Sequence, residues 1–81
     1  MRLLTKPGCH LCDDARPLLR QALAPFGLGF EEVDITTDDA LYAEHWTDIP
    51  VVLVDGVVVA VHRVDASARA ALTAALATPA Q

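Results

Sequence analysis

The chain has 81 residues, of which 53% are hydrophobic and only 5% aromatic, and its formal net charge is −5. That length suits a single domain over residues 1–81 with one aliphatic core. The acidic balance argues against nucleic acid and against an anionic membrane surface, since both call for a basic face, and no apolar stretch approaches the ~20 residues of a membrane-spanning helix.

Met1 to Thr5 read as a buried strand, ended by a turn at Pro7-Gly8. The only two cysteines follow at once in Cys9-His10-Leu11-Cys12, at the head of a helical pattern. From there Leu11, Ala15, Leu18, Leu19, Ala22 and Leu23 trace one helix face. Pro17 should bend that helix or free a carbonyl one turn back. Ala24 to Gly29 ends it as a loop, and Phe30 to Ile35 form a second strand. Thr36-Thr37-Asp38-Asp39 predicts a helix start with a hydroxyl cap, running to about Trp46, with Tyr42 and Trp46 as packing residues. Val51–Val54 and Val57–Val61, joined by Asp55-Gly56, predict a tight type I′ hairpin. Its last strand is a candidate exposed edge. Asp65 caps a final helix that turns Ala68, Leu72, Ala75 and Leu76 inward and stops near Pro79. The acids Glu31, Glu32, Asp38 and Asp39 read as solvated caps and faces, and His62 and Arg63 as the polar end of a strand.

The order is therefore βαβ-α-ββ-α. The first unit needs parallel strands with a right-handed crossover, and the near-continuous valine of Val51–Val54 suits a central strand covered on both faces. The expected architecture is α/β, a four-stranded mixed sheet flanked by three helices: a thioredoxin-like fold.

Two sulfurs three positions apart at a helix start can close a small disulfide ring with little backbone movement. The first faces the positive end of the helix, which favours the reactive thiolate; Asp13 and Asp14 oppose that field. Two cysteines are too few for the disulfide scaffold of a secreted mini-protein, and the motif comes too early for a signal peptide to precede it. The expectation is a cytoplasmic protein with working thiols. The same spacing occurs in zinc sites, which need about four ligands. His10 lies between the cysteines and cannot easily join them on one ion, and His45 and His62 fall on other elements, so no metal is expected. No nucleophile triad, phosphate loop or pair of catalytic carboxylates is present.

Four segments in this order and spacing carry a resemblance across nearly the whole chain: Lys6-Pro7-Gly8-Cys9-His10-Leu11-Cys12, Glu31-Glu32-Val33-Asp34-Ile35, Asp48-Ile49-Pro50-Val51, and the Asp-Gly hairpin. Together they resemble a small bacterial glutaredoxin-like protein of the thioredoxin superfamily. The resemblance implies a thiol–disulfide oxidoreductase with Cys9 as nucleophile and Cys12 as resolving thiol. It also implies a cis-proline at Pro50, with the backbone of Ile49 open to pair with a bound peptide or glutathione. Lys6 would offer a cation to glutathione's carboxylate, Asp65 an acid to its amino group, and His10 would tune the site. Substrates would be protein or low-molecular-weight disulfides. No cofactor would be bound; glutathione as co-substrate, or a reductase, would return the electrons. The chain departs from the family where a Gly-Gly normally follows the hairpin, reading Val61-His62-Arg63-Val64 instead. The alternative is a non-catalytic thioredoxin-fold module that keeps the cysteines but docks partners or holds a metal.

Overall fold

The computed structural model describes residues 1–77. Four strands and three helices follow in the order β1 (Arg2–Thr5), α1 (His10–Leu23), β2 (Glu31–Asp34), α2 (Asp39–His45), β3 (Val51–Val54), β4 (Val57–Val61) and α3 (Ala66–Ala77). The strands form one mixed sheet in the order β2-β1-β3-β4. β1 runs parallel to β2 and antiparallel to β3, and β3 runs antiparallel to β4. This is the α/β thioredoxin-like arrangement predicted from the element order.

Strand alternation builds two apolar layers. Leu3 and Val52 face Ala15, Leu19, Ala22 and Leu23 of α1, with Val64 and Leu72 of α3 completing that layer. Their neighbours Leu4 and Val51 point the other way, onto Ile35, Ile49 and partly buried Leu41 of α2. Cys12 belongs to this second layer although it sits on α1. The first turn of α1 thus reaches over the end of the sheet while the rest of the helix lies on the opposite face. That crossing places both cysteines at the end of the sheet near the β1 C-terminus.

Local chemistry explains the element ends. Asp55 (φ 51°) and Gly56 (φ 80°) both adopt left-handed backbone, as a type I′ hairpin requires. α3 begins as expected, with the Asp65 carboxylate accepting the Ala68 N–H at 2.9 Å, and Ala68, Leu72, Ala75 and Leu76 lie on its covered side. The stop expected near Pro79 lies outside the described residues.

Four expectations need correction. The cap of α2 is a carboxylate and not a hydroxyl: Asp38 accepts from the N–H groups of Ala40 and Leu41. Thr36 and Thr37 instead sit in a 3₁₀ turn over Ile35–Thr37, where Asp34 accepts the Thr36 N–H. Asp outcompetes Thr as a cap because its charge meets the exposed N–H groups of the helix start. The second strand is shorter than Phe30 to Ile35, because Ile35 leaves the sheet to enter that turn. Leu11 and Leu18 lie on the apolar stripe of α1 but remain exposed, since the stripe is wider than the surface it covers. Tyr42 and Trp46 are exposed too, with 55% of Trp46 open to solvent, because a seven-residue helix offers the sheet only one narrow face, which Leu41 and His45 occupy.

Candidate functional site

Cys9 is the N-cap residue of α1, in extended backbone. Its carbonyl accepts the Asp13 N–H at 3.2 Å. Its sulfur accepts the Cys12 N–H, also at 3.2 Å. A side chain at the N-cap position points back at the free N–H groups of the first turn, so the helix itself aims donors at this sulfur. Gly8 makes the entry possible with a left-handed φ of 75°. Cys9 is half-buried, whereas Cys12, one turn on, is wholly enclosed, and both thiols are free.

The two sulfurs consequently live in different surroundings. Burial pushes the Cys12 thiol up to about 12, and its contact with Cys9 acts in the same direction. A hydrogen bond from the Lys6 backbone and the charge of Arg16 pull the other way. At neutral pH, Cys12 is therefore a protonated thiol beneath a more accessible one.

Of the remaining residues singled out in the sequence, Ile49 is buried in the layer that holds Cys12 and against which Cys9 packs. The Ile49–Pro50 bond is cis, and Pro50 is fully buried. His62 donates its backbone N–H to the carbonyls of Pro50 (2.8 Å) and Asp48 (3.2 Å). Cys9, Cys12, Ile49 and Pro50 are thus assembled at one end of the sheet. Lys6 is exposed and meets the site through its backbone, and His10 is exposed as the first residue of α1.

Asp65 sits just before α3. It lines an open cleft of about 300 Å³ with Leu11, Ala15, Leu18, His62 and Arg63. His62 is not simply the end of a strand. Its left-handed backbone (φ 67°) turns the chain out of β4 and brings Arg63 to this cleft. The cleft explains what the exposed Leu11 and Leu18 face. Among the described residues, no group of three or more His, Cys, Asp or Glu side chains is placed to hold a metal ion.

The sequence reading missed the charged network under the motif. Arg16 grips Glu32 with two hydrogen bonds, Nε to Oε1 at 2.6 Å and Nη2 to Oε2 at 2.8 Å. Its Nη1 also binds the Asp13 carboxylate. Thr5, buried at the end of β1, donates its hydroxyl to Glu32 at 3.1 Å. Glu32 is therefore not a merely solvated acid, and Asp13 is turned toward Arg16. The i,i+3 spacing of Asp13 and Arg16 was a visible signal. Glu32 was not, because its place follows from the register that pairs it with Leu3.

The Arg16 guanidinium holds the Glu32 carboxyl below its ordinary value, and the Thr5 hydroxyl adds to this. A carboxylate held low in the folded state stabilises the fold above its unfolded value, and that stability is lost as pH falls through the folded value. Glu32→Gln is thus expected to flatten the acid limb of stability below about pH 4.5, with little change near pH 7 beyond the loss of one ion pair. Urea midpoints measured from pH 2 to 7 test this; parallel wild-type and variant curves would contradict it.

A comparison with curated proteins finds no match. Residues 1–75 match the family described as Glutaredoxin-like domain (DUF836). The match spans the motif at the start of α1, the cis-proline, the hairpin and most of α3, and the chain belongs to this glutaredoxin-like family.

Proposed function

We propose that the protein is a thiol–disulfide oxidoreductase working by dithiol exchange through Cys9 and Cys12. The observation that carries this reading is the unequal placement of the two sulfurs. Cys9 caps the helix at the surface, and Cys12 lies enclosed one turn below it.

The Cys9 thiolate attacks one sulfur of a substrate disulfide. A Cys9–substrate disulfide forms, and the other half leaves as a thiolate that takes up a proton from solvent. In the free enzyme, Cys9 helps keep Cys12 protonated by hydrogen bonding and by charge. Once Cys9 is in the mixed disulfide its negative charge is gone, so both effects fade and Cys12 becomes easier to ionise. Cys12 then loses its proton and attacks the Cys9 sulfur. The Cys9–Cys12 disulfide forms and the substrate leaves reduced, its sulfur taking up a proton. The order of the two steps follows first from exposure: Cys9 is reachable at the helix mouth, whereas Cys12 is enclosed and acts second.

Ile49, beside Pro50, offers backbone for a bound peptide or glutathione to lie along. Lys6, exposed just before the motif, and Asp65, in the cleft beside Leu11, would supply a cation and an anion suited to the carboxylate and amino groups of glutathione. His10 stands at the helix start, where an imidazolium would favour the thiolate state. Glutathione or a dedicated reductase returns the electrons, and substrates are protein or low-molecular-weight disulfides in the cytoplasm. No helix among the described residues is long and apolar enough to cross a membrane.

The test is turnover of a peptide disulfide with glutathione as reductant. The reading expects catalysis by the wild type and only the uncatalysed background with Cys9→Ser. Equal rates for the two proteins would overturn it.

A further inference from the structure

The network around Arg16 starts one helical turn after the buried thiol and ties α1 to β1 and β2. Arg16 stands four residues after Cys12 on α1, which puts both on the same helix face, about 5–6 Å apart at Cβ. Its guanidinium is fixed by Glu32 of β2 and by Asp13, one residue after the motif. Thr5 anchors Glu32 from the end of β1. The next residue, Lys6, gives its backbone N–H to the Cys12 sulfur. A planar guanidinium gripped at two edges cannot swing into solvent as a lone surface arginine would.

We propose that Arg16 is a positioning residue for the resolving step, holding a fixed positive charge beside Cys12 that stabilises the thiolate formed when Cys12 attacks the mixed disulfide. The proposal deepens the exchange reading and rests on it. In the step concerned, the Cys12 S–H bond breaks and its proton goes to solvent. The Cys12–Cys9 bond forms, the Cys9–substrate bond breaks, and the departing thiolate is protonated.

The surroundings of Cys12 leave Arg16 little competition. Leu4, Ile35, Ile49 and Val51, from β1, the turn before α2, the proline loop and β3, make its walls apolar. The charged groups acting on it are Cys9, until that thiol has reacted, and Arg16. The carboxylates of Glu32 and Asp13 are bound to Arg16 and hold its guanidinium in place. Removing the arginine would take away the cation that acts on the thiol and leave Asp13 and Glu32 without their shared partner.

Two measurements test this with Arg16→Gln and Arg16→Lys. The first mixes reduced protein with a cysteine–glutathione mixed disulfide, quenches in acid at set times, and follows the Cys9 adduct by mass. A one-unit rise in the resolving thiol cuts its thiolate tenfold, and greater nucleophilicity recovers part of that. The adduct should thus live about three- to fourfold longer in Arg16→Gln. Arg16→Lys, which keeps the charge, should recover at least half of the loss.

The second measurement needs no catalysis. In a Cys9→Ser background, the ¹³Cβ shift of labelled Cys12 is read against pH, and Arg16→Gln should move its midpoint upward. An unmoved midpoint, or adduct lifetimes equal to wild type in a folded Arg16→Gln protein, would overturn the role of Arg16. A moved midpoint with neither a Cys9 adduct nor a Cys9–Cys12 disulfide in the wild type would uphold the hold of Arg16 on Cys12 while refuting the exchange reading itself.

Discussion

Cys12→Ser is expected to accumulate a near-stoichiometric mixed disulfide through Cys9 when mixed with a substrate disulfide, whereas Cys9→Ser is expected to form none. The difference follows from exposure. Cys9 is half-buried at the mouth of α1, and its sulfur accepts the Cys12 backbone N–H. A serine at position 12 keeps that N–H, so the nucleophile keeps its donor and its reactivity, but nothing attacks the adduct. Cys12 is fully enclosed and its thiol is pushed up to about 12. On its own it is neither reachable by a disulfide nor ionised near neutral pH. Mass spectra of the two variants after non-reducing quench give the answer directly. Adducts on both variants would show that the enclosure of Cys12 opens in solution. Adducts on neither would remove the basis for nucleophilic chemistry at Cys9.

Leu19→Ala is expected to unfold a large share of the protein at room temperature or to lower its urea midpoint severely. Leu19 is fully buried in the middle of α1, packed in the layer that contains Leu3, Val52 and Leu72. Truncating such a leucine costs about 2–5 kcal/mol through lost transfer energy and the cavity left behind. A domain of this size has only about 4–12 kcal/mol to lose, at ~0.05–0.15 kcal/mol per residue. The second apolar layer, around Leu4, Ile35 and Val51, lies across the sheet and cannot fill a cavity left at Leu19. Leu18→Ala, one residue away but facing the open cleft, should shift the midpoint far less. Urea titrations of both variants test the pair; equal losses would mean that Leu18 is buried in solution.

The contrast between these two leucines shows how far the sequence could be read. Hydrophobic periodicity marks the face of a helix but not the width of what covers it. Leu18 and Leu19 looked alike, and only the placement of α3 and the loop before it separates them. Tyr42 and Trp46 misled for the same reason, since aromatic side chains four apart read as a packed face on a helix that proves too short to cover both. Features whose chemistry is local were legible. Asp55-Gly56 accounts for its own left-handed turn, and Asp65 caps α3 from three residues away. Cys9-His10-Leu11-Cys12 marked the helix start because it lies between a Pro-Gly turn and an amphipathic run. Three neighbouring candidates at Thr36, Thr37 and Asp38 could each have capped α2, and charge decided among them. The grip of Arg16 on Glu32 was out of reach, because it depends on the register that sets Glu32 beside Leu3 and on how α1 crosses the sheet.

The most direct test of the central claim is the equilibrium between the two cysteines themselves. The protein is equilibrated in graded mixtures of reduced and oxidised glutathione, quenched by alkylation, and its species are read by mass. Dithiol exchange predicts one two-electron transition between free thiols and an intramolecular Cys9–Cys12 disulfide, with a midpoint within about −270 to −120 mV. Thiols that stay reduced and unmodified across the whole series would contradict it.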